Sequence, residues 1–116
     1  MSLSPNAKWG ELKMVRLLVL YTKPNDVETF EKQFNEVLVP LTKKMAGLRS
    51  YTISRNIAPS LRGEAYYLVA ELDWDDMATM QQAFQSPEGK EAAIEATRVA
   101  ELSPGTRSMT YEIQEV

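Results

Sequence analysis

One amphipathic helix pattern constrains the fold of this chain more than any other feature. Within the segment Tyr21–Arg55, large apolar residues recur at steps of three and four: Val27, Phe30, Phe34, Val37, Leu38, Leu41 and Met45. At 100° per residue they form a stripe roughly 100° wide, which is typical of a helix that packs one side against a sheet. Asn25 or Asp26 is expected to cap its start, and Pro40, which cannot donate a backbone hydrogen bond, to kink or loosen it. Gly47 is expected to end it in a left-handed conformation.

Strand patterns surround this helix. The segments 14–22 and 64–74 are apolar on both alternating faces, which is typical of central strands that are covered on both sides. The segments 48–57 and 106–116 alternate larger with small or polar residues, as edge strands do. Between them, a helix follows Asp75 or Asp76, and another begins at Ser86-Pro87-Glu88 and carries a stripe of small residues. The order β-α-β-β-α-β predicts a ferredoxin-like α+β fold with a four-stranded antiparallel sheet.

The predicted sheet has a face that its own helices do not cover. In this fold the helices lie on one side, whereas strands one and three are apolar on both. A second subunit packed against the open face is the simplest explanation, so we expect a homodimer that packs sheet to sheet. The pattern leaves open which strand face points toward the helices.

The absence of histidine and cysteine removes most familiar catalytic chemistry. It excludes a histidine general base, a Ser-His-Asp triad, a thiolate nucleophile and a metal held by imidazole or thiolate. No glycine-rich dinucleotide motif or P-loop is present, so no cofactor such as NAD or ATP is expected. The acids of the segment 73–76 (DWDD) are interpreted as helix caps rather than a metal site, and the other acids as solvated helix faces.

Charge and hydropathy limit the partners. A net charge of −3 argues against nucleic acid. The Arg62-Gly63 pair before a strand resembles the RNA-recognition module, but Glu64 stands where that module needs a stacking aromatic. No apolar run reaches the roughly 20 residues of a membrane span, and no signal-peptide pattern begins the chain, so a cytoplasmic protein is expected. We expect residues 1–13 to form a flexible arm and residues 14–116 the folded domain.

Several short motifs resemble the EthD-like family of dimeric α+β barrel proteins, which is named from a locus for ethyl tert-butyl ether breakdown. These motifs are Tyr21, Lys23-Pro24, the helix segment Phe34–Leu41 (FNEVLVPL), Gly47-Leu48-Arg49 and Ser86-Pro87-Glu88. The resemblance covers residues 14–116. It implies a barrel built by the sheets of two subunits, with a small apolar cleft between sheet and helices in each. Members of the family are often described as reductases or as accessory proteins of degradation.

Two helix positions depart from the family pattern. Members commonly carry a histidine two residues before the helix proline, and often a tyrosine four residues before that histidine. This chain has Leu38 and Phe34 at those positions. No acid–base role is therefore carried over to them, and no catalytic residue is assigned.

The residues predicted to contact a ligand in the cleft are apolar or aromatic: Tyr21, Phe34, Leu38, Leu41, Tyr51 and Trp74. Phe34 and Leu38 are more simply interpreted as core residues of the helix stripe, which is compatible with lining a cleft, and tyrosines on strands as ordinary packing. Two functions stay open. In the first, the cleft binds a small apolar compound and supports a cofactor-independent oxidation, reduction or isomerisation. In the second, the chain is a non-catalytic binding or accessory subunit that has lost the histidine and tyrosine of the family.

Overall fold

The helices and strands follow the predicted order. The structure, a computed structural model, describes residues 14–116, so the predicted arm of residues 1–13 lies outside the described part. The elements are β1 (Met14–Tyr21), α1 (Val27–Gln33), a π-helical segment (Phe34–Leu38), α2 (Val39–Lys43), β2 (Ser50–Ser54), β3 (Leu68–Trp74), α3 (Met77–Gln85), α4 (Pro87–Glu101) and β4 (Arg107–Ile113). The strands are shorter than predicted. β2 stops before Asn56, which adopts a left-handed φ of 58° and turns the chain into a long loop.

The four strands form one antiparallel sheet in the order β2-β3-β1-β4. The two strands that are apolar on both faces, β1 and β3, lie in the centre, and the two alternating strands lie at the edges. The ferredoxin-like α+β fold predicted from the sequence is therefore confirmed.

The register settles which strand face meets the helices. On β1, Val15 and Tyr21 are buried toward the helices, and their neighbours on β3 are Trp74 and Leu68. In the edge strand β4, the small residues lie on the side of the sheet that faces the helices. The larger residues lie on the opposite, open side, where Met109 pairs with Leu18. The larger side chains of β4 therefore add to the open face of the sheet.

Aromatic rings fill the core between α1 and the sheet. Phe30 and Phe34 stack with ring centroids 5.7 Å apart, and the Tyr21 ring meets them edge-on at 5.3 and 5.8 Å. Trp74 is fully buried, and its Nε1 donates to the Ala46 carbonyl oxygen at 3.1 Å. Each such ring contributes about 1.5–3 kcal/mol by leaving water, and each aromatic pair adds about 0.5–1.5 kcal/mol.

The first helix is loosened just before Pro40, as predicted. The Val39 amide donates to the Phe34 carbonyl, five residues back, so one turn is π-helical. The helix ends at Lys43, earlier than predicted, and Gly47 follows in the next turn with a φ of +73°. A side chain at Gly47 would also approach Thr79 Cγ2 to 2.6 Å, so both the backbone and the packing require glycine there.

Side-chain caps set the starts of the helices. Asp26 accepts from the Thr29 amide at 3.1 Å and Asp76 from the Thr79 amide at 2.7 Å, which resolves both choices left open by the sequence. Ser86 caps α4 as predicted, its Oγ accepting from a backbone amide at 3.1 Å. Hydrogen bonds with Thr79 hold the pKa of Asp76 below its ordinary value. These acids therefore serve as caps.

Candidate functional site

A cavity of about 60 Å³ lies between the helices and the covered face of the sheet. The sheet side of its wall is formed by β1, β2 and β3, and the helix side by the π-helical segment, α2, α3 and α4. The lining residues are Leu17, Val19, Tyr21, Leu38, Thr42, Met45, Tyr51, Ala70, Leu72, Phe84, Ala92 and Ala96. Among the described residues, no charged side chain lines this cavity.

The structure brings three of the six predicted site residues to the cavity. Tyr21 comes from the end of β1, Leu38 from the end of the π-helical segment, and Tyr51 from the edge strand β2. The other three do not line it. Phe34 is stacked in the aromatic core, Trp74 is fully buried with its indole nitrogen bonded to the backbone, and Leu41 packs beside the core cluster.

Thr42 and two alanines of α4 are wall residues that the prediction did not include. Thr42 follows Leu38 by four residues, so it lies on the same stripe of the helix. The helical period alone would have been enough to include it among the predicted site residues. Ala92 and Ala96 belong to the small-residue stripe recognised in the sequence. Their short side chains leave the open space of the cavity beside α4.

Two phenols are the polar groups of the cavity wall, together with Thr42. Burial raises the pKa of Tyr21 well above its ordinary value, and the neighbouring Tyr51 adds to this effect. Burial also raises the pKa of Tyr51 to about 12, although a hydrogen bond with Thr42 works against it. Both phenols therefore stay protonated at neutral pH and can donate hydrogen bonds.

The two tyrosines differ in their surroundings. Tyr51 lies beside Thr42, whose Oγ1 donates to the Leu38 carbonyl at 2.8 Å. Tyr21 is only 3% exposed, packs in the aromatic core and also lines the cavity. A buried phenol that faces open space in this way is suited to donate to a bound molecule.

A groove of about 220 Å³ lies beside this cavity, between α4 and the strands β1 and β4. The two spaces share Leu17, Val19, Tyr21 and Ala96 as wall residues. The remaining wall of the groove is formed by small residues and hydroxyl groups: Thr97, Ala100, Thr106 and Ser108. We call the two spaces the inner chamber and the outer groove.

The carboxylates with specific partners lie outside both spaces. Glu31 accepts two hydrogen bonds from Arg55 at 2.9 Å and one from Tyr67, and the hydrogen bonds from Arg55 hold the pKa of Glu31 below its ordinary value. The expectation of solvated acids was wrong for Glu95, which is 3% exposed and accepts from Gln33 and Arg98. These ties join α1 to β2 and to α4, and they fix the walls of the cavity.

No group of three or more acidic side chains is placed to hold a metal ion within residues 14–116. Across the same residues, no helix combines the length and apolar character needed to cross a membrane.

Sequence and structure comparisons agree on a class of protein. Residues 14–95 match the family described as antibiotic biosynthesis monooxygenase. The chain is 29% identical over 104 residues to the "uncharacterized 11.0 kDa protein in thcB-thcC intergenic region" of Rhodococcus erythropolis, covering 88% of this chain and 96% of that protein. A crystal structure of an ethyl tert-butyl ether degradation (EthD) family protein from Bacillus halodurans has 31% identity and a TM-score of 0.76, covering 87% of this chain and 99% of that one.

A more distant neighbour shows the fold alone. SnoaB, described as a cofactor-independent oxygenase from Streptomyces nogalater, is 17% identical, with a TM-score of 0.65, covering 90% of this chain and 96% of that one. What the chain shares with these solved structures is the ferredoxin-like fold. The chain belongs to the antibiotic biosynthesis monooxygenase family.

Proposed function

We propose that this protein is an EthD-like member of its family and that its inner chamber binds a small, largely apolar compound. One observation carries the proposal: an uncharged cavity in the protein interior onto which two neutral phenols converge. Small-molecule sites have this composition, mostly apolar walls with a few placed polar groups. The EthD-like assignment is supported by the 31% identity to the Bacillus halodurans protein and by the helix motif FNEVLVPL.

A cofactor-independent oxygenation is the reaction that we propose for this site: dioxygen is the oxidant, one of its oxygen atoms enters the substrate and the other leaves as water. The family description and the description of SnoaB both name oxygenation. The wall offers neutral hydroxyl groups and no residue that is a base at neutral pH, because both phenols keep their protons. A substrate oxidised here would therefore bind in its neutral form and lose its proton to water during the reaction, and the phenols would stabilise the developing negative charge by hydrogen bonding.

A non-catalytic binding role is the second candidate. It is favoured by Leu38, which places an alkyl group in the cavity at the position where relatives commonly carry histidine. Phe34, at the position of the family tyrosine, lies in the core instead of the wall. The Leu38→His variant alone should thus place an imidazole at the cavity. Turnover of a family-type substrate gained by this variant supports a decayed enzyme, and no gain leaves the binding role standing.

We propose further that the protein is a homodimer that packs through the open face of the sheet. That face carries large apolar residues that are incompletely buried in a single chain: Met14, Leu18, Leu20, Val69, Met109 and Tyr111. Apolar surface of this kind on a sheet is usually covered by another subunit. Sedimentation across micromolar concentrations tests this, and a monomer throughout would contradict it.

Native mass spectrometry of freshly purified, never-denatured protein tests the binding role directly. The expected spectrum shows a dimer that carries a small apolar adduct. The Ala96→Leu variant should lose the adduct, because the added side chain fills the wall shared by both spaces. The matched control is Ala93→Leu on the exposed side of α4. Equal adduct occupancy in the two variants would contradict binding at this cavity.

A further inference from the structure

We infer that the ligand of this protein is a neutral, elongated compound that extends from the inner chamber into the outer groove and accepts a hydrogen bond from Tyr21 where the two meet. This inference rests on the binding role proposed above. It adds the shape, charge and polar contact of the ligand.

The volumes require a ligand that occupies both spaces. The inner chamber holds about 60 Å³, whereas an apolar cavity that takes up benzene measures about 150 Å³. A compound with even one ring must therefore extend beyond the chamber. The outer groove offers about 220 Å³ and continues from the same wall residues of β1. Small-molecule sites generally measure about 300–1,000 Å³, a size that the two spaces approach only when one ligand fills both.

The wall chemistry requires a neutral ligand. Within the described residues, neither space is lined by Lys, Arg, Asp or Glu. A carboxylate or ammonium group buried there would lose its hydration without gaining an opposite charge, which costs several-fold more than burying a neutral polar group. The hydroxyl groups of the outer groove, on Thr97, Thr106 and Ser108, tolerate a neutral polar substituent at that end.

Tyr21 stands at the junction and is the group that would orient the ligand. It lines both spaces and is only 3% exposed. Its ring is held by edge contacts with Phe30 and Phe34, so the hydroxyl has little freedom to turn elsewhere. Tyr51 is less suited, because it lines only the inner chamber. A carbonyl or ether oxygen in the middle of the ligand would satisfy Tyr21.

Three naphthalene compounds of similar shape test this arrangement by isothermal titration calorimetry on the wild-type protein. 2-Acetylnaphthalene carries an acceptor oxygen, 2-ethylnaphthalene lacks it, and 2-naphthoate replaces it with a charge. We expect the acetyl compound to bind about three- to tenfold more tightly than the ethyl compound, the range of one hydrogen bond. The naphthoate should bind at least about a hundredfold more weakly than the acetyl compound.

Variants separate the parts of the inference. Tyr21→Phe should abolish the preference for the acetyl over the ethyl compound, whereas Tyr51→Phe should retain it. Ala100→Leu narrows only the outer groove and should weaken both neutral compounds about tenfold or more. Ala93→Leu, on the exposed side of the same helix, should leave binding unchanged. Circular dichroism melts of each variant show that it is folded before its binding is compared.

The outcomes distinguish this inference from the binding role itself. Binding that Ala96→Leu weakens while Tyr21→Phe and Ala100→Leu leave it unchanged would overturn the extended, Tyr21-bonded arrangement and keep the inner chamber as the site. Naphthoate binding as tight as acetylnaphthalene would overturn the neutral class. If the wild type binds none of the three compounds, the extended, neutral arrangement falls, whereas the binding role itself is decided by the adduct in the native mass spectrum.

Discussion

The two faces of the sheet are built from the same strands but have opposite chemistry. On the covered face, the side chains of β1 and β3 border an uncharged cavity and an aromatic core. On the open face, Arg16 donates to Asp73 at 2.8 and 3.0 Å and to Glu71 at 3.2 Å, with apolar residues on either side. These hydrogen bonds hold the pKa of Asp73 below its ordinary value.

The difference indicates two separate tasks for one sheet. The covered face excludes charge, as a site for a neutral ligand requires. The open face combines a satisfied ion cluster with incompletely buried apolar residues, a composition suited to a subunit interface in which the charges fix the register. Ligand effects and assembly effects should therefore respond to different substitutions.

The largest expected effect comes from the covered face. Phe34→Ala removes a fully buried ring that stacks on Phe30 and meets Tyr21 edge-on, so it should lower the free energy of unfolding by about 3–5 kcal/mol. Urea denaturation measures the loss. Val27→Ala, at the start of α1 where the side chain is 37% exposed, should change it by about 0.5 kcal/mol or less. If Phe34→Ala lowers the free energy of unfolding by less than about 1 kcal/mol, Phe34 lies in a loosely packed cavity wall that can rearrange, and not in the core.

A substitution on the open face should change the dimerisation of the protein. Leu18 pairs with Glu71 on β3 and with Met109 on β4, so Leu18→Glu places a second carboxylate beside an existing one in the proposed interface. We expect the dimer dissociation constant to rise at least about a hundredfold, because the new charge is buried without a partner. Sedimentation velocity at several concentrations measures the change.

Leu61→Glu is the control for that change of charge, since Leu61 is 97% exposed in the loop before β3. It should sediment as the wild type does. If Leu18→Glu forms the same dimer as the wild type, the open face is not the interface. The proposed division between a ligand-binding face and an assembly face would then be wrong.

The sequence predicted the fold well because the fold depends on local patterns. The two-faced apolar strands gave the central pair, and the capping residues Asp26, Asp76 and Ser86 stand where helix-start signals placed them. The site was predicted only in part. Phe34 and Leu38 occupy one helix stripe, yet only Leu38 borders the cavity.

What separates these two residues is the group that faces each of them. Phe34 contacts the large rings of Phe30 and Tyr21. Leu38 lines the cavity together with the small Ala92 and Ala96 of α4, a helix that is far from it in the sequence. Such pairings join residues far apart in the chain, and helical period carries no information about them. The orientation of β4 could not be predicted for a similar reason. Alternation shows that a strand has two different faces, but it does not show which face is turned toward the helices.

The smallest expected effect is a loss of folding stability at alkaline pH, caused by Tyr51 on the covered face. Burial raises the pKa of Tyr51 to about 12 in the folded protein, whereas an unfolded tyrosine ionises near pH 10. Between these values the unfolded chain loses a proton that the folded chain keeps, so the free energy of unfolding falls as pH rises. Its slope is at most about 1.4 kcal/mol per pH unit for one group. Below pH 10 the stabilisation from this proton is fully present.

Tyr51→Phe removes this contribution, so the difference in unfolding free energy between wild type and variant should shrink from pH 10 to 12 and then level off. Tyr66→Phe, outside both the inner chamber and the outer groove, supplies the baseline for the loss of a tyrosine hydroxyl. Urea unfolding at half-unit pH steps measures the three profiles. Parallel profiles for wild type and Tyr51→Phe would mean that the Tyr51 phenol is solvated in solution. The inner chamber would then be open to water, and the contrast between a dry covered face and an ion-bearing open face would fail at that point.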